Sequence, residues 1–192
     1  MKAIALGTLV AAMCSVPIIV SAQKPIKEEL IHVDSGPPPS TAAAMASAAA
    51  AIVVGKYTGA ARLIETRASD DPRLPPLRST AYTFQIVDIV KLHQYLPFAG
   101  GNLDLELPGG DKEFPAHILR ERDRDTDLLK PNHTYVLFLG WNWYRNELVL
   151  AFGASGVYDI TDGRLVALHS HGRHYNGTLA TAFLAGLRAA AK

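Results

Sequence analysis

His169-Ser170-His171-Gly172-Arg173-His174 places three imidazoles within six residues. On a strand that continues through them, His169 and His171 project from one face, because side chains alternate with period two. Gly172 then lets His174 fold back. Three imidazoles with an open fourth position suit zinc or copper and can activate water, the basis of a metal-dependent hydrolase. The competing reading is a polar strand end leading into a C-terminal helix. No carboxylate lies between the histidines to act as a base; the nearest upstream acids are Asp159 and Asp162. A short histidine tract carries the case by composition alone. No catalytic residue, metal ligand or cofactor is therefore assigned, and a His-based metal protein using His169, His171 and His174 stands as the alternative.

Other candidate chemistry is weaker. Asp123-Arg124-Asp125-Thr126-Asp127 opens like a calcium loop, but the EF-hand needs glycine at its sixth position and glutamate at its twelfth. Leu128 and Thr134 stand there, so the run reads as a self-neutralising solvated loop. Gly153-Ala154-Ser155-Gly156 lacks the Gly-x-Ser-x-Gly spacing of a nucleophile elbow and reads as a hairpin corner. Trp141 and Trp143 share a strand face with Tyr135, Leu137 and Leu139. Exposed, the indoles would stack on a sugar or another planar ligand; the leucines on that face argue for burial. No phosphate-cradling glycine loop is present. Asn132-His133-Thr134 and Asn176-Gly177-Thr178 match the glycosylation sequon, which carries meaning only in a eukaryotic secretory pathway.

The elements that must position these residues are mostly strands. Ile52 to Gly59 is β-branched and aromatic, with Gly55 and Gly59 marking bulges or bends. Residues 67–79, with Asp70, Asp71, Pro72, Pro75 and Pro76, read as a loop. Thr80 to Leu92 is a second long strand. Leu103-Asp104-Leu105-Glu106-Leu107 alternates strictly, one face buried and one wet, and Pro108-Gly109-Gly110-Asp111 reads as the turn after it. Residues 119–133 read as a charged connection. Thr134 to Trp143 is the strongest strand, and Tyr144-Arg145-Asn146 turns it into Glu147 to Phe152. Asp162-Gly163 marks a tight turn between two short strands, Val157 to Ile160 and Arg164 to Leu168.

Helices frame the strands. Residues 41–51 are nearly pure alanine, the best helix former, with Ser40 or Thr41 as cap. Leu179, Phe183, Leu184 and Leu187 recur at helical spacing, which predicts an amphipathic helix over 178–190. The expected fold is mainly β: a small antiparallel OB-like barrel of about five to seven strands, with a short N-terminal Ala-rich helix and a C-terminal amphipathic helix.

The ends and the charge bound the function classes. Met1-Lys2, an uncharged apolar run from Ala3 to Val20, and the small residues Val20-Ser21-Ala22 form a secretory signal peptide with cleavage after Ala22. The run is interrupted by Gly7, Thr8, Ser15 and Pro17 and is short for a membrane span. Residues 23–40, ending in Ser35-Gly36-Pro37-Pro38-Pro39-Ser40, read as a flexible linker, and 41–192 as a single domain. The leader takes the one cysteine, Cys14, and with it any thiol nucleophile or Cys-ligated zinc. Removing Lys2 from the 19 basic residues leaves 18, against 18 acidic. A neutral chain lacks the basic stripe of a nucleic-acid binder. The location expected is periplasmic or secreted, with no transmembrane segment after processing.

Ala48 to Leu168 resembles uncharacterised secreted bacterial proteins. The pieces are the Ala-rich lead into Ile52-Val53-Val54-Gly55, Thr83-Phe84-Gln85-Ile86, Lys91, Pro108-Gly109-Gly110, Lys130-Pro131-Asn132-His133-Thr134 through Leu139, and Gly156-Val157-Tyr158. The arrangement is similar to the OB-fold barrels of netrin-like and metalloproteinase-inhibitor domains. Inhibitors of that type reach the protease metal through an N-terminal cysteine, which this chain lacks after processing. The resemblance thus implies a fold, and a barrel without recognisable catalytic groups implies a non-enzymatic binding or interaction module for an unknown protein or small ligand.

Overall fold

The computed structural model describes residues 24–31, 36–67, 71, 73, 75–98 and 100–191. The signal-peptide reading of residues 1–22 lies outside them. In chain order the elements are β1 (Ile26–Ile31), α1 (Ala42–Ala48), β2 (Ala51–Thr66), β3 (Leu77–Leu92), β4 (Asn102–Glu113), β5 (Ile118–Asp123), β6 (Thr134–Asn142), β7 (Glu147–Ala154), β8 (Val157–Thr161), β9 (Arg164–Ala167), a 3-10 helix (Ser170–Tyr175) and α2 (Ala180–Ala190). Among the described residues no helix is long and apolar enough to cross a membrane.

All nine strands form one sheet in the order β1-β5-β4-β3-β2-β6-β8-β9, with β7 beside the far half of β6. β6 is central, and its Tyr135–Leu139 run is fully buried. Both its faces are covered, which is why it reads as continuously apolar. On one face Val53, Tyr57, Phe84, Leu105, Tyr135 and Leu137 pack together, so the sheet curls upon itself. On the other, Ile52, Val136, Phe138 and Tyr158 meet Met45 of α1 and Phe183 and Leu187 of α2. Register shifts at Ile52/Val53, Val54/Gly55 and Tyr57/Ala61 in β2 supply the bending, as bulges do. Lys91 fastens α1 to the sheet: its Nζ donates to the carbonyls of Ala46 and Ala49, each at 2.6 Å. Those carbonyls end α1 and have no partner further along the helix.

The closed barrel of five to seven strands is corrected to an open sheet of nine. β4 and β7 approach, with Cα atoms within 8 Å, yet among the described residues no ladder joins them. Two causes are visible. Glu106 of β4 and Glu147 of β7 both pair with Arg145, at 3.6 and 3.1 Å, so side-chain ion pairs occupy the seam. Pro108 lacks an N–H, and Gly109 and Gly110 at φ +88° and +150° swing β4 away toward β5. A Cβ on Gly109 would strike the Glu121 carbonyl, and one on Gly110 the Thr80 hydroxyl. Residues 108–111 are thus a bend inside β4, where a turn was expected.

Two further differences concern charge. Residues 119–123, read as part of a charged connection, belong to β5. Its charges are satisfied across strands: Arg120 on Asp111 at 2.6 and 2.8 Å, and Glu121 on Arg78. Ile26–Ile31, read as part of the linker, forms β1, which pairs parallel to β5; the sheet is therefore not wholly antiparallel. The two helices stand at Ala42–Ala48 and Ala180–Ala190, inside the expected spans.

Candidate binding groove

The curl of β2, β3 and β4 leaves a cavity of about 350 Å3 at the edge of the core, under the chain that follows β5. Its walls come from three strands that present one residue in two. Leu63 pairs with Thr80, and Thr80 with Leu107; Ala61 pairs with Tyr82, and Tyr82 with Leu105. The same alternation that buries Phe84 and Leu105 deeper in the sheet brings Leu63, Tyr82 and Leu107 to the cavity. Leu128 and Leu129 close it from the segment after β5, and Ala154 from the end of β7.

The polar rim carries four carboxylates, Asp111, Glu121, Asp123 and Asp127, and two guanidiniums, Arg120 and Arg122. Asp111 and Arg120 form a bidentate pair, Arg122 reaches Glu28 at 3.1 Å, and Asp123 accepts from the Thr126 hydroxyl at 2.6 Å. Burial pushes the Tyr82 phenol above its ordinary value, so it remains a hydroxyl. The site therefore offers apolar walls, a few dipoles and a rim on which acids outnumber bases and both arginines already have partners. Asp123 is its deepest acid, 6% exposed.

Behind Asp123 lies a sealed polar junction. His169 Nε2 stands 3.7 Å from an Asp123 oxygen. His169 Nδ1 accepts the His171 backbone N–H at 3.2 Å and lies 3.1 Å from the Ser155 hydroxyl. Backbone bonds clamp the same place: Asp127 N–H donates to the Leu168 carbonyl at 2.7 Å and Ser170 N–H to the Asp125 carbonyl at 3.0 Å. Ser155 is 0% exposed and His169 2%. A serine, an imidazole and a carboxylate in line are the parts of a nucleophilic triad. Here no substrate atom can reach the hydroxyl, so they act as a staple joining the turn after β5, the β7–β8 corner and the 3-10 helix. Burial holds the His169 imidazole below the usual histidine range, the nearby Asp123 charge opposing that in part.

The three histidines of the tract do not converge. The strand ends at Ala167, and His171 and His174 belong to the 3-10 helix. His171 lies edge-on to His169, with centroids 4.8 Å apart, whereas His174 packs on Tyr175. Among the described residues no three His, Cys, Asp or Glu side chains are gathered as metal ligands. Asp123 and Thr126 form a turn, and Asp125 N–H points to an Asp123 oxygen at 3.4 Å.

The indoles divide. Trp141 packs against the core. Trp143 is 80% exposed, a correction to the burial expected from its strand face. The strand ends at Asn142, whose side chain accepts the Tyr144 and Arg145 N–H groups, so Trp143 sits in the turn and not on the ladder.

Ser155 reads in the sequence as a hairpin corner and Asp123 as part of a solvated charge run, and nothing in spacing links either to His169. The Asp-x-x-Thr spacing, which lets the Thr126 hydroxyl donate to the Asp123 carboxylate, is a local signal that could mark Asp123 as more than a solvated charge. No protein-family model matches this chain, and no curated protein matches it.

Proposed function

We propose that the chain is an exported, periplasmic or secreted, non-enzymatic binding module whose site is the cavity walled by Leu63, Tyr82 and Leu107. The supporting observation is the combination of an apolar concavity with a rim whose two arginines are already paired with carboxylates. Small-molecule sites of roughly 300–1,000 Å3 share this make-up of apolar walls and few polar groups. Both arginines of the rim already hold carboxylates, which disfavours an anion, and the apolar walls favour a ligand with an apolar body and one uncharged polar end.

Catalysis by the neighbouring Ser155, His169 and Asp123 has no such support, since the hydroxyl is closed off. Export rests on the pattern of residues 1–22, and an intact mass lacking those residues in exported protein is the expected result.

The binding reading is tested with N-phenyl-1-naphthylamine, a neutral apolar fluorophore. Saturable binding at one site is expected in the wild-type protein. Ala61→Trp, which fills the mouth, should abolish it, and Trp143→Ala should leave it intact. Absence of saturable binding, or binding untouched by Ala61→Trp, overturns the assignment.

A further inference from the structure

Among the described residues the sheet ends on β1, whose outer edge pairs with no strand. Ile118 N–H donates to the Pro25 carbonyl and Arg124 N–H to the Ile31 carbonyl, each at 3.0 Å. In a strand, each residue directs its N–H and C=O to one side, and successive residues alternate. The odd-numbered residues of β1 therefore face β5, and Ile26, Glu28 and Leu30 direct their backbone groups outward. Among the described residues no strand pairs with that edge. Ile26 and Leu30 are 49% and 50% exposed. An open edge carrying apolar side chains is a template for a further strand.

We infer that this edge pairs with the same edge of a second copy of the chain, antiparallel about a two-fold axis at Glu28. The sequence of β1, Ile-Lys-Glu-Glu-Leu-Ile, is self-complementary in that register. Ile26 opposes Leu30 of the second copy, Glu28 opposes Glu28, and Leu30 opposes Ile26. These are the residues with outward backbone groups, so the three pairs exchange about six hydrogen bonds.

Between them lie the close, non-hydrogen-bonded positions, where Lys27 meets Glu29 and Glu29 meets Lys27. Opposite charges at such positions stabilise and like charges destabilise. Shifting the register by two residues would set Lys27 against Lys27, or Glu29 against Glu29. The one like-charge contact in the favoured register, Glu28 on Glu28, is relieved within each chain by Arg122 at 3.1 Å. Such a contact is isologous and closes at two chains.

The test is sedimentation equilibrium of the purified protein over a wide concentration series. A shift from the mass of one chain to that of two is expected as concentration rises. Lys27→Glu, with glutamate at both positions, and Glu29→Lys, with lysine at both, should each weaken self-association about tenfold or more. An equimolar mixture of the two variants should restore the dimer, because each then meets opposite charge; this also shows that both variants are folded. Glu28→Pro removes an outward N–H at the two-fold axis, leaves the bonds to β5 in place, and should abolish the dimer. A single-chain mass at every concentration overturns the inference. So does a dimer indifferent to Glu28→Pro, or a mixture no stronger than its components.

Discussion

Asp123–His169 and Asp159–His133 bring the same two side-chain types together and use them in opposite ways. In the first pair both partners are sealed, the carboxylate stands 3.7 Å from Nε2, and Nδ1 accepts a backbone N–H. The proton of the neutral ring therefore sits on Nε2. In the second pair Nδ1 faces the Asp159 carboxylate at 3.0 and 3.1 Å, so Nδ1 carries the proton and donates it. The His133 side chain is 36% exposed, and Asp159 also accepts from the Thr161 hydroxyl at 3.1 Å. The shorter carboxylate–imidazole distance marks the looser of the two pairs. Water reaches His133 and can replace its partner, whereas His169 is sealed and, beside the backbone bonds of Asp127 and Ser170, ties the Ser155 corner to the turn after β5.

Removing each imidazole should separate the pairs most sharply. His169→Ala removes the imidazole from beside the Ser155 hydroxyl and the Asp123 carboxylate and opens a void in a sealed place. A loss of about 3 kcal/mol in urea unfolding is expected, the scale of a buried side chain removed together with its hydrogen bonds. A loss below about 1 kcal/mol would mean that water takes over the junction and would erase the contrast.

Acid should act through the same residue. Burial lowers the folded His169 value, so the unfolded chain takes up this proton first as pH falls. Stability is full above the ordinary histidine value of about 6.5 and declines from there down to the folded value. His169→Gln should flatten that part of the acid limb. An unchanged limb would assign the loss to other groups.

His133→Ala should cost less than about 1 kcal/mol, as exposed pairs do. A cost equal to that of His169→Ala would show that Asp159 depends on its partner despite the solvent. The finest distinction is the tautomer. Nitrogen-resolved NMR of the imidazoles at neutral pH should place the proton on Nε2 of His169 and on Nδ1 of His133. The same tautomer in both would break the comparison with no change in stability.

Much of the strand framework was legible beforehand. The run from Tyr135 to Leu139 is apolar at every position but one face-neutral tyrosine, and a strand covered on both sides has no wet face to reveal. Leu103, Leu105 and Leu107 alternate because β4 has one buried face there, and Phe183 and Leu187 repeat at helical spacing because α2 buries one stripe. Arg120-Glu121-Arg122 hid β5, since charges paired across strands look like charges paired with water. Pro108-Gly109-Gly110 carries turn chemistry, yet positive φ at two glycines serves equally to redirect a strand.

The amino-acid sequence by itself determined the local elements: where chains extend, where alanines coil, which faces are apolar, and the neutral balance of charge beyond the first 22 residues. These follow from neighbours three or four residues away, which periodicity records. The tertiary structure decided that the sheet stays open between β4 and β7, that Leu63, Tyr82 and Leu107 share a cavity, and that His169 meets Asp123 and Ser155 while His174 does not. Each of those depends on the curl of a nine-stranded sheet, which brings together residues tens of positions apart, and no spacing within one strand encodes such a meeting.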